Sequence, residues 1–265
     1  MTKLRTVLLK RLIVTALVTL LASRLVPGMR GQDSSALILN YPFRDSFTRH
    51  YQVGGSPGIE IKGGISGPTV SSGRTGMVDI DVQRTAATQR ELDCHQVKID
   101  YRPDLITITQ VQFTDRRECN SIRASQSLTL QVPSDALLRV SMIAGELKVT
   151  GPVKAVTASS IAGHVSIMSA GSVDLSSLAR GLSLSLDHAS PGSATIESVV
   201  GVVDLDVAER RDVEIRISKL KRGITSFPPD FVRLNTNDGY LLRSGEGGTL
   251  LSISSIDGDV LVRRQ

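Results

Sequence analysis

Seven glycines recur along the second half of the chain at nearly constant spacing. Gly145, Gly163, Gly181, Gly201, Gly223, Gly239 and Gly258 lie 18, 18, 20, 22, 16 and 19 residues apart. From Leu128 onward apolar and polar residues alternate in short runs, as in Leu128–Val132, Leu138–Met142, Leu182–Leu186, Val203–Val207, Val213–Ile217 and Leu251–Ile253. A two-residue period is the mark of strands with one buried face. Each glycine sits between two such runs, often after a small or polar residue, and supplies the positive φ of a tight corner without steric cost. A unit of roughly 20 residues, made of strand, glycine turn, strand and second turn, reads as one coil of a β-solenoid. The expected fold is therefore all-β, a single parallel β-solenoid or β-helix. The competing architecture is an antiparallel β-sandwich, whose strands recur every 8–12 residues or so; the regular glycine period favours the solenoid. Composition agrees: hydrophobic residues make up 40% of 265, enough for a core, while aromatics are 3% and Trp is absent. A narrow coil packs Val, Ile, Leu and Ala.

Residues 33–127 are less regular. Strands are readable at Gly58–Ile61, Val78–Val82, Val97–Ile99 and Leu105–Ile108, with glycine-rich corners at Gly54-Gly55, Gly63-Gly64 and Gly73 to Gly76. This part is expected to form the first coils and a cap, because an open solenoid end exposes backbone donors and acceptors. At the other end the strand Asp259–Val262 runs almost to Gln265. Arg263 and Arg264 either guard that edge, or the edge pairs with a second chain.

The first segment has a different character. Met1 to Arg11 contains four basic residues, and Leu12 to Ala22 is an uncharged apolar run of eleven. That is the length of a signal-peptide core and is short of the roughly 20 residues a spanning helix needs. A signal peptide over 1–27, cleaved between 24 and 33, is expected, then a linker over 28–44. The repeat domain covers 45–265, irregular over 45–127 and regular over 128–265. Five of the 31 basic residues precede Pro27, where no acidic residue occurs, so the remainder match the 26 acidic ones. A neutral mature chain lacks the clustered Lys/Arg that nucleic-acid binding requires. The expected address is exported: periplasm, cell surface or secreted.

Cys94 and Cys119 suit an oxidising compartment, where a bond between them closes a loop of about 25 residues. Two buried free thiols and a metal site using His95 are the alternatives; no Cys-x-x-Cys or His-x-x-x-His set accompanies them.

The segment Leu128 to Val149, reading Leu-Thr-Leu-Gln-Val-Pro and then Leu-Leu-Arg-Val-Ser-Met-Ile-Ala-Gly-Glu-Leu-Lys-Val, resembles the bacterial putative-adhesin domain family. The close resembles it too: Gly245-Glu246-Gly247-Gly248, then Leu250–Ile253, then Asp257-Gly258-Asp259-Val260-Leu261-Val262. With Phe47–Gly55 and Val78–Val82 the resemblance spans roughly 45–265. It implies a parallel β-solenoid on an envelope or exported protein, and it carries no catalytic residues.

Carboxylates recur in pairs, Asp79/Asp81, Asp204/Asp206 and Asp257/Asp259. A pair at i, i+2 on a strand lies on one face, the arrangement for Ca²⁺ or for acid/base work on polysaccharide. The simpler reading is that alternation demands a polar residue at each outward position. His50, His95, His164 and His188 share no motif, and neither Gly-x-Ser-x-Gly nor a phosphate loop occurs. Ser159-Ser160, Ser176-Ser177 and Ser254-Ser255 read as turn and strand-edge residues. The first segment and the glycine period, together with what the resemblance implies, point to a non-enzymatic exported protein without cofactor or metal, presenting a long face for adhesion or envelope scaffolding. Its partner would be an envelope or extracellular protein or polysaccharide surface, with self-association edge to edge as a further mode. The alternative is a β-helix enzyme acting on polysaccharide, with Asp204 and Asp206 as candidates.

Overall fold

A computed structural model describes residues 41–265, except 113–118, 120–123, 169, 187–191, 210 and 247. The expected signal peptide and most of the linker lie outside the described residues. The N-terminal part holds β1 (Phe43–Gln52), β2 (Gly58–Lys62), β3 (Pro68–Ser72), β4 (Met77–Ala86), β5 (His95–Arg102), β6 (Leu105–Gln112) and β7 (Ala124–Val132). A six-residue helix, α1 (Gln89–Cys94), interrupts it; the Thr88 hydroxyl caps it by accepting from the Glu91 N–H. The repeat follows: β8 (Leu137–Ile143), β9 (Leu147–Thr150), β10 (Val153–Ile161), β11 (Val165–Met168), β12 (Ala170–Leu178), β13 (Leu182–Leu186), β14 (Ala194–Val200) and β15 (Val203–Val207). The last elements are β16 (Val213–Leu220), β17 (Gly223–Ser226), β18 (Val232–Thr236), β19 (Gly239–Ser244), β20 (Thr249–Asp257) and β21 (Asp259–Arg264).

These strands form two sheets, ordered β1-β4-β7-β3-β9-β11-β13-β15-β21-β17 and β18-β19-β16-β20-β14-β12-β10-β8-β2-β6-β5. The chain is all-β, but the single parallel solenoid is corrected: both sheets are mixed. From β8 to β15 the chain passes alternately between the sheets, each strand parallel to the one two places on. The ends depart from this. Two-residue loops at Pro103-Asp104 and Asn237-Asp238 close β5–β6 and β18–β19 as antiparallel hairpins, because so short a connection cannot return a strand in parallel. The register also leaves sequence order. β20 lies between β14 and β16, and β21 between β15 and β17.

The last strand is thus interior, not an edge. Arg263 reaches Asp204 at 2.7 Å. Arg264 donates to the carbonyls of Ala208 (2.7 Å) and Arg211 (2.9 Å), pairs with Asp230 at 2.6 Å and lies over the Phe231 ring. Both arginines hold neighbouring elements together.

Between the sheets, buried side chains stack in register. Leu147, Val165, Leu182, Val203 and Val260 form one column of the ten-stranded sheet. Val140, Ala158, Leu175, Ile196, Ile253 and Ile217 form a column of the other. All are buried, 5% exposed or less. Burying each Val, Leu or Ile contributes about 1.5–3 kcal/mol.

In the eleven-stranded sheet the alternation breaks once per rung. Val156 and Ala158 are buried, Ser159 and Ser160 both face outward, and burial resumes at Ile161. The second outward residue is left-handed on every such rung. Met142, Ser160, Ser177, Ser198, Ser255 and Lys219 have φ between 54° and 58°, and the ladder registers set them side by side. This extra residue turns the strand and resets its parity, as a β-bulge does. The unbroken run Leu138–Met142 is therefore corrected: Met142 is 59% exposed and Ile143 takes the core position.

The glycine corners divide in kind. Gly181 and Gly201 have φ of 106° and 108° as expected. Gly145, Gly163 and Gly258 do not have positive φ, and their requirement is space: a Cβ on Gly163 would lie 2.3 Å from the Gly145 carbonyl oxygen. Backbones stack here too closely for a side chain.

Two substitutions separate these causes. Gly163→Val should destabilise the fold by about 2 kcal/mol or more through backbone contact. Ser177→Val should cost about 1–3 kcal/mol because a β-branched residue resists positive φ, whereas Ser177→Asn should stay near wild type. Urea unfolding midpoints at constant slope measure both.

Candidate interaction surface

Because each rung buries alternate residues, its other residues form columns on the outer faces. On the eleven-stranded sheet Arg139, Thr157, Asp174, Thr195, Ser252 and Arg216 line up across successive strands. All six are exposed. A neighbouring column holds Ser141, Ser159, Ser176, Glu197, Ser254 and Ser218. Parallel strands set the spacing within each column at about 4.8 Å. Beside them runs the ridge of left-handed residues from Met142 to Lys219, all exposed. The surface is hydroxyl-rich and lightly charged. A shallow cavity of about 540 Å³ opens at one end of the ridge, between Ser198, Val200, Lys219, Lys221, Ser255 and Asp257.

The carboxylate pairs are engaged or separated. On β4, Asp79 accepts from His50 Nδ1 at 2.7 Å and from Arg74 at 3.3 Å. The His50 hydrogen bond is the main reason that its carboxyl lies below the ordinary value, with Arg74 adding to it. On β15, Asp204 and Asp206 share a face, and Asp204 is held by Arg263 from the adjacent strand. Asp257 and Asp259 do not share a strand face, since Gly258 separates the end of β20 from the start of β21. A hydrogen bond from Lys221 at 2.7 Å holds Asp257 below its ordinary value. Glu60 on β2 is lowered in the same way by Lys62, with Arg139 3.6 Å away. Among the described residues no three His, Cys, Asp or Glu side chains group closely enough to hold a metal ion.

The histidines are dispersed. His95 begins β5 and accepts a hydrogen bond at Nδ1 from the Gln110 amide at 2.8 Å. Burial, reinforced by the Arg84 charge, holds this imidazole below its ordinary value. His164 Nε2 is 3.0 Å from the Ser183 hydroxyl. His188, with Asp187, lies outside the described residues.

Cys94, the last residue of α1, and Cys119 are joined by a disulfide with Cα atoms 5.7 Å apart. Both are buried, so the bond ties the helix to the segment after β6. Alongside, Arg84 pairs with Asp45 and donates to the His95 carbonyl at 2.7 Å. These contacts are structural.

The second serine of each pair, Ser160, Ser177 and Ser255, makes the turn of its rung at positive φ as a turn residue should, and the structure adds that these residues also lie on the exposed face. The signal was present: each pair falls where two polar residues interrupt strict alternation, at one phase of every repeat. No sequence pattern announced the Arg264 cluster, whose partners lie 20 or more residues away.

No protein-family model matches the chain, and no curated protein matches it. Among solved structures it is similar to a putative cell adhesion protein from Clostridium sporogenes, at 10% identity over 84% of this chain and 100% of that one, with a TM-score of 0.46. A putative adhesin from Parabacteroides distasonis aligns at 10% identity over 83% and 97%, with a TM-score of 0.36. A putative lipid binding protein from the same species has 10% identity over 83% and 97%, with a TM-score of 0.25. At these identities and scores the likenesses transfer neither fold nor function to this chain.

The ionisable contacts imply a two-step loss of stability on acidification. A group depressed in the folded state contributes stability that is complete above its unfolded pKa and is lost as pH falls through the folded one. For His95 the loss begins below the ordinary 6.5. For Asp79 and Glu60 it begins below ordinary values of 3.8 and 4.5. His95→Gln should remove the upper step of the melting-temperature profile, and Asp79→Asn should reduce the lower one.

Proposed function

We propose that this chain is a non-enzymatic, exported interaction protein that uses the outer face of its eleven-stranded sheet for adhesion or for scaffolding in the cell envelope. The observation that carries this reading is the column Arg139–Thr157–Asp174–Thr195–Ser252–Arg216, exposed and in register over six strands. A regular array of exposed hydroxyls and isolated charges favours many weak hydrogen bonds to an extended polar surface over one deep pocket. Trp is absent and Tyr numbers only four, which argues against aromatic stacking on a single sugar ring. The partner class that fits is a polysaccharide or a polar protein surface. Export is supported by the basic, apolar first segment and by the disulfide, a bond characteristic of oxidising compartments. Among the described residues no helix is long and apolar enough to cross a membrane. Polysaccharide cleavage at Asp204 and Asp206 has less support, because Arg263 occupies Asp204.

Solid-phase binding to a panel of envelope and matrix polysaccharides and proteins tests the proposal. Thr157→Ala or Thr195→Ala alone should weaken binding less than about threefold, while alanine at Thr157, Asp174, Thr195 and Ser252 together should abolish it. Loss of all binding from one substitution would replace the distributed face with a local site. Protease treatment of intact cells, following a tag at Gln265, separates the two roles: loss of the tag favours adhesion, and protection until lysis favours an internal scaffold.

A further inference from the structure

At the N-terminal end of the ten-stranded sheet, β1 is an edge. Among the described residues its ladder partner is β4 alone, and the two run antiparallel in unbroken register over ten residues, from Phe43↔Ala86 to Gln52↔Met77. The Val53 N–H donates to the Gly76 carbonyl at 2.9 Å, one step beyond this ladder in the same register. In an antiparallel pair such bonds recur at every second residue, so the odd-numbered residues of β1 bond to β4. The even-numbered residues Arg44, Ser46, Thr48 and His50 present their N–H and C=O groups away from it. Two outward carbonyls confirm that parity: Thr48 accepts from the Arg49 guanidinium and Gln52 from the Tyr101 hydroxyl.

Long unbroken edges template further pairing unless something blocks it. The opposite edge of this sheet is blocked. There β17 has four residues, a register shift between Ile224 and Ser226, and Pro228-Pro229 after it. β1 contains no proline and no shift. Its sequence, Phe43-Arg44-Asp45-Ser46-Phe47-Thr48-Arg49-His50-Tyr51, is instead self-complementary about Phe47. Laid antiparallel on itself there, it sets Asp45 opposite Arg49 in both directions, Phe43 opposite Tyr51, Ser46 opposite Thr48 and Phe47 opposite Phe47; Arg44 falls opposite His50, the one pair without complementary chemistry.

Parity and pattern agree. In this register the outward-facing even residues become the hydrogen-bonded pairs. The odd residues become the non-hydrogen-bonded pairs, whose side chains approach most closely. Those close pairs are the aromatic and ionic ones. Arg49 is exposed, with its guanidinium 5.4 Å from the Phe47 ring centroid. Asp45, already bound by Arg84, stays 40% exposed at its side chain and can take a second cation.

We infer that β1 is a homodimer interface, pairing antiparallel with β1 of a second copy about a two-fold axis at Phe47 and joining the two ten-stranded sheets. Such an interface is isologous and closes on itself, so assembly stops at two. The reading is independent of the outer-face proposal.

Sedimentation velocity of the exported protein across a micromolar concentration series is the test, with two variants. Arg49→Asp puts Asp45 opposite a second acid and should weaken the dimer at least about tenfold. Thr48→Pro removes an outward N–H, tolerated on an edge, and should leave a monomer; circular dichroism and melting temperature verify that both variants fold. Ser46→Cys protein mixed with Thr48→Cys protein should cross-link on mild oxidation more than either alone, which reads the register directly. A wild type that stays monomeric throughout would overturn the inference. So would a dimer that persists in both variants.

Discussion

One left-handed residue per rung governs this architecture. A strand that simply alternated would turn Ser160 inward and carry Ile161 to the outer face. Placing Ser160, Ser177, Ser198 and Ser255 at φ near 57° turns each rung and returns the next apolar residue to the interior. Such a conformation costs a non-glycine residue roughly 1 kcal/mol or more in isolation. It persists because the rungs on either side make the same turn, and the ladder bonds hold register only if all turn together. Serine suits the position: it is small and polar, and its side chain faces solvent.

The outer surface follows from that turn. Once parity is fixed on every rung, outward residues stack into columns without further specification. Their chemistry can then vary while the backbone does not, which separates the demands of folding from those of recognition. The core columns contain almost only Val, Ile, Leu and Ala, while the outward columns carry Ser, Thr, Asp, Glu and Arg. Cation–carboxylate contacts such as Arg263–Asp204, between adjacent strands, and Lys221–Asp257, from just after β16 to the end of β20, neutralise charge without building a reactive centre. Solvent and salt screen such pairs, so they shape the surface more than they stabilise it.

Much of the strand content was legible because half-buried strands impose a two-residue period. The runs at Leu182–Leu186 and Val203–Val207 coincide with β13 and β15. The turn of each rung was not legible by that rule, since the rule has no place for an extra outward residue; hence Met142 was assigned to the core. Gly163 was recognised as constrained, but through φ when the constraint is the Gly145 carbonyl above it. The mixed sheets were hidden for another reason. Strand order depends on which edge a returning segment meets, and β20 and β21 return between elements that precede them in the chain. The carboxylates could be named from sequence, whereas their pairing with His50, Arg263 and Lys221 required the fold.

The most direct test is the backbone conformation of the four stacked serines in solution. Nuclear magnetic resonance couplings and Cα shifts distinguish positive from negative φ at single residues. Positive φ at Ser160, Ser177, Ser198 and Ser255 is what a commonly turned stack requires. Extended values at these positions would mean that the strands run through without the turn, and the core and surface columns would then lose their assignment together.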